Sequence, residues 1–268
     1  MLKNIFLKSL WDSKLTLSYI FITYFLVCLL IMYVVSELPL REIQFIFDRV
    51  ELPKAITAFF SGPGGINITT VEGILNTDMF SIFAPLVSIG FAVYYGFSSI
   101  CQEEEKRTID IILSSQISRS SFLTQKLASM SIKVLLIVAS LLMSIILNSY
   151  IFSLSLNLIN IISICSYLFF IATTFGYFSV LLGILFGKSG PIYGISSTLA
   201  ISSYLIFSIE PFLNNFSFIK YISIFYYYKG GDPLNQGFHS WHWVIFMLLN
   251  IFLITSCYYL WEKRDINQ

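Results

Sequence analysis

Residues Ile159–Phe186 read INIISICSYLFFIATTFGYFSVLLGILF, with no Asp, Glu, Lys, Arg or His in the run. A helix rises about 1.5 Å per residue, so roughly 20 apolar residues cross the hydrocarbon core of a bilayer, and a longer run crosses with tilt or a bend. Five more stretches qualify: about Leu15–Val35, Met79–Ile100, Leu127–Ser149, Pro191–Ile209 and Trp241–Trp261. Composition agrees. Of 268 residues, 56% are hydrophobic and 12% charged, against about 25% charged in soluble domains. In lipid, apolar surface can face outward, and a helix closes its backbone hydrogen bonds internally. The expected fold is an all-α integral membrane protein with six transmembrane helices, forming one transmembrane domain over 1–268.

The cations orient it. With the N-terminus inside, the inner segments hold Lys3, Lys8, Lys14, Lys106, Arg107, Arg119, Lys126, Lys133, Lys188, Lys263 and Arg264, and the outer ones Arg41, Arg49, Lys54, Lys220 and Lys229. Cytoplasmic connections carry the excess of Lys and Arg, so both termini are expected inside, as an even number of spans requires. Lys3, Lys8 and Lys14 precede an apolar run too long for a signal-peptide core, which is expected to persist as a helix.

Four parts lie outside the spans. In 1–14, Leu2, Ile5, Phe6 and Leu10 share one helical face, the pattern of a helix lying in the cytoplasmic interface. The outer loop 36–77 is too long for a turn. Leu40, Ile43, Phe47 and Val50 recur at helical spacing, Pro53 and Gly62 can bound a second short helix, and Thr69-x-x-Glu72 matches a capping box. The outer loop 210–240 carries Phe225, Tyr226, Tyr227 and Tyr228 before Gly230-Gly231-Asp232-Pro233; these aromatics, with Trp241 and Trp243, are expected at the membrane interface. The fourth part is the inner segment 101–125.

Catalytic chemistry finds little support. Net charge is +1, so no global field attracts nucleic acid. Cys28, Cys101, Cys165 and Cys257 are isolated, and neither a disulfide nor a metal site is expected. Gly183-Ile-Leu-Phe-Gly187-Lys188-Ser189 has three residues between its glycines where a phosphate-binding loop needs four, and it ends an apolar helix instead of following a strand. Gly183 and Gly187 read better as a small-residue face for helix packing. His239 and His242 are three apart without a carboxylate beside them, which suits an interface better than a metal. The spans almost lack ionisable groups; Lys133 can snorkel inward. Proton and sodium carriers usually keep acidic groups at the midplane. Ser196, Ser197, Thr198, Ser202, Ser203 and Ser208 in the fifth span allow two readings, close helix packing or a weakly polar pathway.

The most informative segment is Gln102-Glu103-Glu104-Glu105-Lys106-Arg107-Thr108-Ile109-Asp110-Ile111-Ile112-Leu113, followed by Ile117-Ser118-Arg119 and Lys126. Three carboxylates end a span, and Ile109, Ile112 and Leu113 form an apolar face at helical spacing. Composition alone leaves two readings: a knob offered to a soluble partner, or a solvated loop that only orients the chain.

This segment resembles the corresponding part of membrane subunits of ATP-binding-cassette exporters of the type-2 permease class. There, two or three Glu precede a Gly-Thr-Leu-Asp/Glu stretch, Leu-Leu, a Pro-Val-Ser-Arg-like stretch and a Lys. Leu52-Pro53, Gly73-Ile74-Leu75, Phe80-Ser81-Ile82-Phe83-Ala84-Pro85-Leu86 and the ending Trp261-Glu262-Lys263-Arg264-Asp265-Ile266 add to the likeness, which covers nearly the whole chain. Arg107 stands where that family often has Gly, and Gln116 where it often has Pro. The resemblance implies a permease in a bacterial or archaeal cytoplasmic membrane. It implies a coupling segment made by Glu103, Glu104, Glu105, Arg107, Thr108, Asp110, Ile112, Leu113, Ser118 and Arg119, docked on cytoplasmic ATPase subunits. A second permease copy or paralogue completes the pathway, membrane lipid surrounds it, and ATP and Mg bind the ATPase with no cofactor in this chain. A membrane scaffold or assembly factor, a membrane-embedded lipid-processing enzyme and a lone secondary carrier are the other readings the residues allow.

Overall fold

A computed structural model of the chain describes residues 5–38, 44, 69–105, 118–187, 189–212 and 217–264. Gln44 apart, the short helices expected around Leu40–Val50 and Pro53–Gly62 lie outside the described residues. So do Leu2 and, from the expected coupling segment, Arg107, Thr108, Asp110, Ile112 and Leu113.

Among the described residues the chain is helical throughout, and six helices are long and apolar enough to cross a membrane. The protein is therefore an all-α integral membrane protein. A short helix α1 (Ile5–Asp12) precedes the first span, α2 (Lys14–Glu37). The second span is composite: one turn of α-helix, α3 (Val71–Ile74), a π-helical stretch (Leu75–Phe83), then α4 (Ala84–Glu105). The third, fourth and fifth spans are α5 (Arg119–Ile151), α6 (Leu158–Phe186) and α7 (Ser189–Ile209). Two 3₁₀ turns (Glu210–Phe212, Ser217–Ile222) and two short helices, α8 (Ile224–Lys229) and α9 (Pro233–Gln236), lead to the sixth span, α10 (Ser240–Lys263).

Local chemistry sets the ends. Thr70 caps α3, its hydroxyl accepting from the Gly73 N–H at 3.1 Å, so the cap lies one residue after the Thr69 that the capping-box pattern indicated. Ser118 caps α5 by accepting from Ser121 N–H at 3.2 Å, and the helix starts at Arg119 instead of near Leu127. Asn157 caps α6 through the N–H groups of Ile159 and Asn160. Gly187 ends α6 at φ 67°, a left-handed conformation that suits glycine.

The fourth span is the centre of the bundle. Of its most apolar window 72% is buried, against 28% in α7 and 22% in α10. It packs most extensively on α4, then on α10, α5 and α7. The close approach of α4 and α6 is made at Gly96 and Gly176: a Cβ on Gly96 would stand 2.4 Å from the Gly176 carbonyl oxygen. Ser179 adds a hydroxyl donated to the Val93 carbonyl at 3.0 Å. On the other side of α4, the buried Tyr24 of α2 and Ser88 share a hydrogen bond at 3.2 Å.

Helix α1 lies along α5. The Ser9 hydroxyl accepts from Ser129 Oγ at 2.8 Å and from Lys133 Nζ at 2.7 Å, and the Lys133 ammonium also sits 4.5 Å from the Tyr95 ring centroid. Ile5 packs on the core while Leu7 and Trp11 stay exposed, so the apolar surface turned away from the protein differs from the face read off the sequence. Lys133 is buried, and its ammonium anchors α1. The aromatic run at 225–228 also departs from a simple interfacial belt. Phe225 and Tyr228 are buried, and Tyr228 donates its hydroxyl to the Phe80 carbonyl at 2.9 Å. Trp241 is exposed, whereas Trp243 packs edge-on against Phe170 at 4.6 Å.

Candidate functional site

At one end of the bundle the carboxylates that close α4 tie together four spans. Glu103 meets Lys126 of α5 at 2.7 Å. Glu104 meets Arg264, just after α10, through two contacts: Oε1 to Nη1 at 2.7 Å and Oε2 to Nη2 at 3.0 Å. This planar two-point match is the strong form of a carboxylate–guanidinium pair. Arg264 also donates to the Gly183 carbonyl of α6 at 3.4 Å, and its own carbonyl accepts from Arg119 Nη1 at 3.1 Å. Trp261 closes the joint, its indole N–H donating to the Arg119 carbonyl at 3.0 Å and its ring stacking on Phe122 at 5.8 Å.

Of the expected coupling residues, Glu103, Glu104 and Arg119 thus come together in this joint. Ser118 stands beside it as the α5 cap, and Glu105 is exposed at the end of α4. Glu103 and Glu104 bind neighbouring spans within the chain, so their charges are already matched before any partner arrives. Gly183 faces α4, where a Cβ would stand 3.4 Å from Cys101 Sγ. Gly187 serves as the left-handed end of α6, and a Cβ there would lie 2.7 Å from Arg264 Nη2 and 3.1 Å from Glu104 Oε2; it leaves room for the ion pair.

A second feature lies between α4 and α7. A cavity of about 600 Å³ is lined by Pro85, Ile89, Gly90 and Val93 on one side and by Tyr193, Ser197 and Ala200 on the other, with Ser81 and Phe225 also in its wall. Of the fifth-span serines and threonine, Ser197 is the one that reaches it; Ser203 instead bonds Ser223.

Behind Ser81 sits Lys229, at the end of α8. It is 8% exposed. Its ammonium donates to Ser81 Oγ at 2.5 Å and to the Asn76 carbonyl at 3.3 Å, both in the π-helical stretch. Among the described residues no carboxylate lies within 4.0 Å of it. Burial pushes the ammonium down to about 7, with the charge of Asp232 opposing the shift. Sequence reading counted Lys229 as an ordinary outer-loop cation. The one hint was its place directly after four aromatic residues. The π-helix, a geometry enriched at functional sites, leaves no mark in composition.

His239 and His242 stack at 4.7 Å beside Tyr226 and Tyr227. Among the described residues no group of three His, Cys, Asp or Glu side chains is placed to hold a metal ion.

Six spans, a charged joint at one end and an apolar cavity between two spans define a polytopic membrane protein of helical-bundle class. The chain belongs to the family described as "Protein of unknown function (DUF2705)", whose model matches residues 29–267. No curated protein and no solved structure matches it.

Proposed function

We propose that this chain is the transmembrane subunit of an ATP-binding-cassette exporter, a multi-pass protein of a bacterial or archaeal cytoplasmic membrane that pairs with a second permease copy or paralogue and with separate ATPase subunits. ATP and Mg belong to those subunits, and the chain itself is not an enzyme. The observation that carries the reading is the joint at Glu103, Glu104, Lys126, Arg264 and Arg119. Residues 106–117 depart from Glu105 and return at Ser118, both beside this joint. A displacement applied to that connection therefore reaches α4 and α5 directly, and α6 and α10 through Arg264. Rigid charge-assisted contacts transmit such a push better than a solvated loop would. The cavity between α4 and α7, with Ser197 in its wall, is the candidate substrate pathway.

The test uses charge reversal within the connection itself: Arg107→Glu with Asp110→Lys. The expected result is normal insertion with loss of ATPase copurification or of coupling between hydrolysis and transport. Wild-type behaviour on both assays would remove the segment from the coupling role. Reversal of Glu104 is a poor probe of docking, because it also strips Arg264 of its partner. Sidedness requires an introduced thiol, Glu105→Cys, since the native Cys101 is buried. Labelling of that thiol by an impermeant reagent from outside intact cells would invert the topology. The purified chain alone should not hydrolyse ATP.

A further inference from the structure

We propose that the cavity between α4 and α7 binds an amphiphile, its apolar body filling the cavity and its anionic head drawn to Lys229 at the Ser81 wall. The inference names the substrate class of the exporter and rests on that reading only for calling the occupant a substrate.

The volume, about 600 Å³, falls within the range of small-molecule sites, roughly 300–1,000 Å³. Its surface is nearly all hydrocarbon and aromatic, so a free inorganic anion would leave most of it unfilled. Leu86 and Ile201, 67% and 61% exposed, line it and form a flank open to the side of the bundle. That is the side lipid covers, so a ligand enters from the membrane. Gly90 contributes to the room, since a Cβ built on it meets nothing within 4 Å.

The polar end is reached through Ser81: Lys229 does not itself line the cavity, and its ammonium meets the hydroxyl of a residue that does. Ser81 is part of the cavity wall and is only 2% exposed. Its hydroxyl donates to the Asn76 carbonyl at 2.7 Å and accepts from Lys229. An ammonium has three donors, and the two acceptors that Lys229 meets are neutral oxygens. Asp232 acts on this ammonium only from beyond contact distance, and a buried charge touched by neutral oxygens alone is costly unless a counter-charge arrives. An anionic head at the Ser81 wall supplies that counter-charge, and Ser81 keeps its bond to Asn76 when the head approaches. A purely apolar occupant would leave the charge as it stands.

The experiment uses the full chain in nanodiscs of phosphatidylcholine at neutral pH, with a fluorescent alkyl phosphate and the alcohol of the same chain as probes. The phosphate should bind about tenfold more tightly than the alcohol, the order of one charge-assisted contact. Lys229→Met and Lys229→Gln should each bring the two probes within about twofold of one another, with alcohol binding unchanged. Gly90→Leu, which fills the cavity without touching Lys229, should weaken both probes by about tenfold. Inorganic phosphate should not compete. The proposal is overturned if phosphate and alcohol bind wild type equally, if the preference survives both Lys229 substitutions, if Gly90→Leu leaves both affinities unchanged, or if inorganic phosphate displaces the probe at matching concentration. None of these readouts involves an ATPase: failure here leaves the exporter reading standing, and failure of ATPase copurification leaves the binding result standing.

Discussion

At the Glu105 end of the second span Glu103 and Glu104 each meet a cation at 2.7 Å, whereas near its other end Lys229 meets only the Ser81 hydroxyl and the Asn76 carbonyl. Both regions are largely buried. In the first, opposite charges cancel locally, and the result is a rigid joint between spans. In the second, one charge is held by neutral oxygens beside an apolar cavity. Removing a partner from the first leaves an orphaned ion, whereas removing the ion from the second relieves a penalty. Stability measurements therefore separate a group kept for architecture from one kept at architecture's expense.

The largest effect is expected from Glu104→Lys. It replaces a bidentate pair, about four-fifths buried, with two facing cations, and should cost about 2–3 kcal/mol of stability. Arg264→Glu in the same chain should restore most of it. A thermal-denaturation cycle on the two single variants and the double variant measures the coupling, and additivity would mean that the pair carries nothing. Lys229→Met should move the other way, raising stability by about 1–3 kcal/mol while Ser81 and Asn76 satisfy one another. The sign follows from the lowered ammonium: the folded state resists its protonation, so the penalty is full below about pH 7 and fades as pH rises towards that of a free lysine. The gain from Lys229→Met should follow the same course, and a loss of stability at pH 6 would make Lys229 an architectural group after all.

Smaller effects sharpen the contrast. Glu103→Gln keeps the shape of the Lys126 contact and removes its charge; about 1 kcal/mol is expected, read as a lower unfolding midpoint that responds to salt. Ser9→Ala takes the hydroxyl acceptor from Lys133 and should cost about 1 kcal/mol at most, because the Tyr95 ring remains beneath the ammonium. Faster proteolysis of α1 alone, with the bundle intact, is the accompanying sign.

Hydropathy made the six spans legible, because each bilayer crossing demands a run of apolar residues that nothing else in the chain imitates. It could not set their lengths. Arg119–Lys126 continues α5 as a polar, capped stretch, and polar turns at a helix end look like loop. The carboxylates were visible as a cluster, yet their partners lie 23 and 160 residues away. Nothing local marks Arg264 as the residue that meets Glu104. The Gly96–Gly176 contact was hidden for the same reason, since the two glycines fall on different spans with no shared spacing. Lys229 was misread because a lysine between aromatics and a glycine pair is normally solvated, and only the tertiary packing of α8 buries it and brings its ammonium to Ser81 and Asn76.

Arg264 follows all six spans, and it is the residue that brings α6 and α10 into the joint with α4. A chain is made from its N-terminus, so during synthesis Glu104 waits without its guanidinium until the sixth span has been delivered. The joint is therefore the last part of the bundle to close: until the sixth span is in place, the carboxylate at the end of the second has no guanidinium to meet.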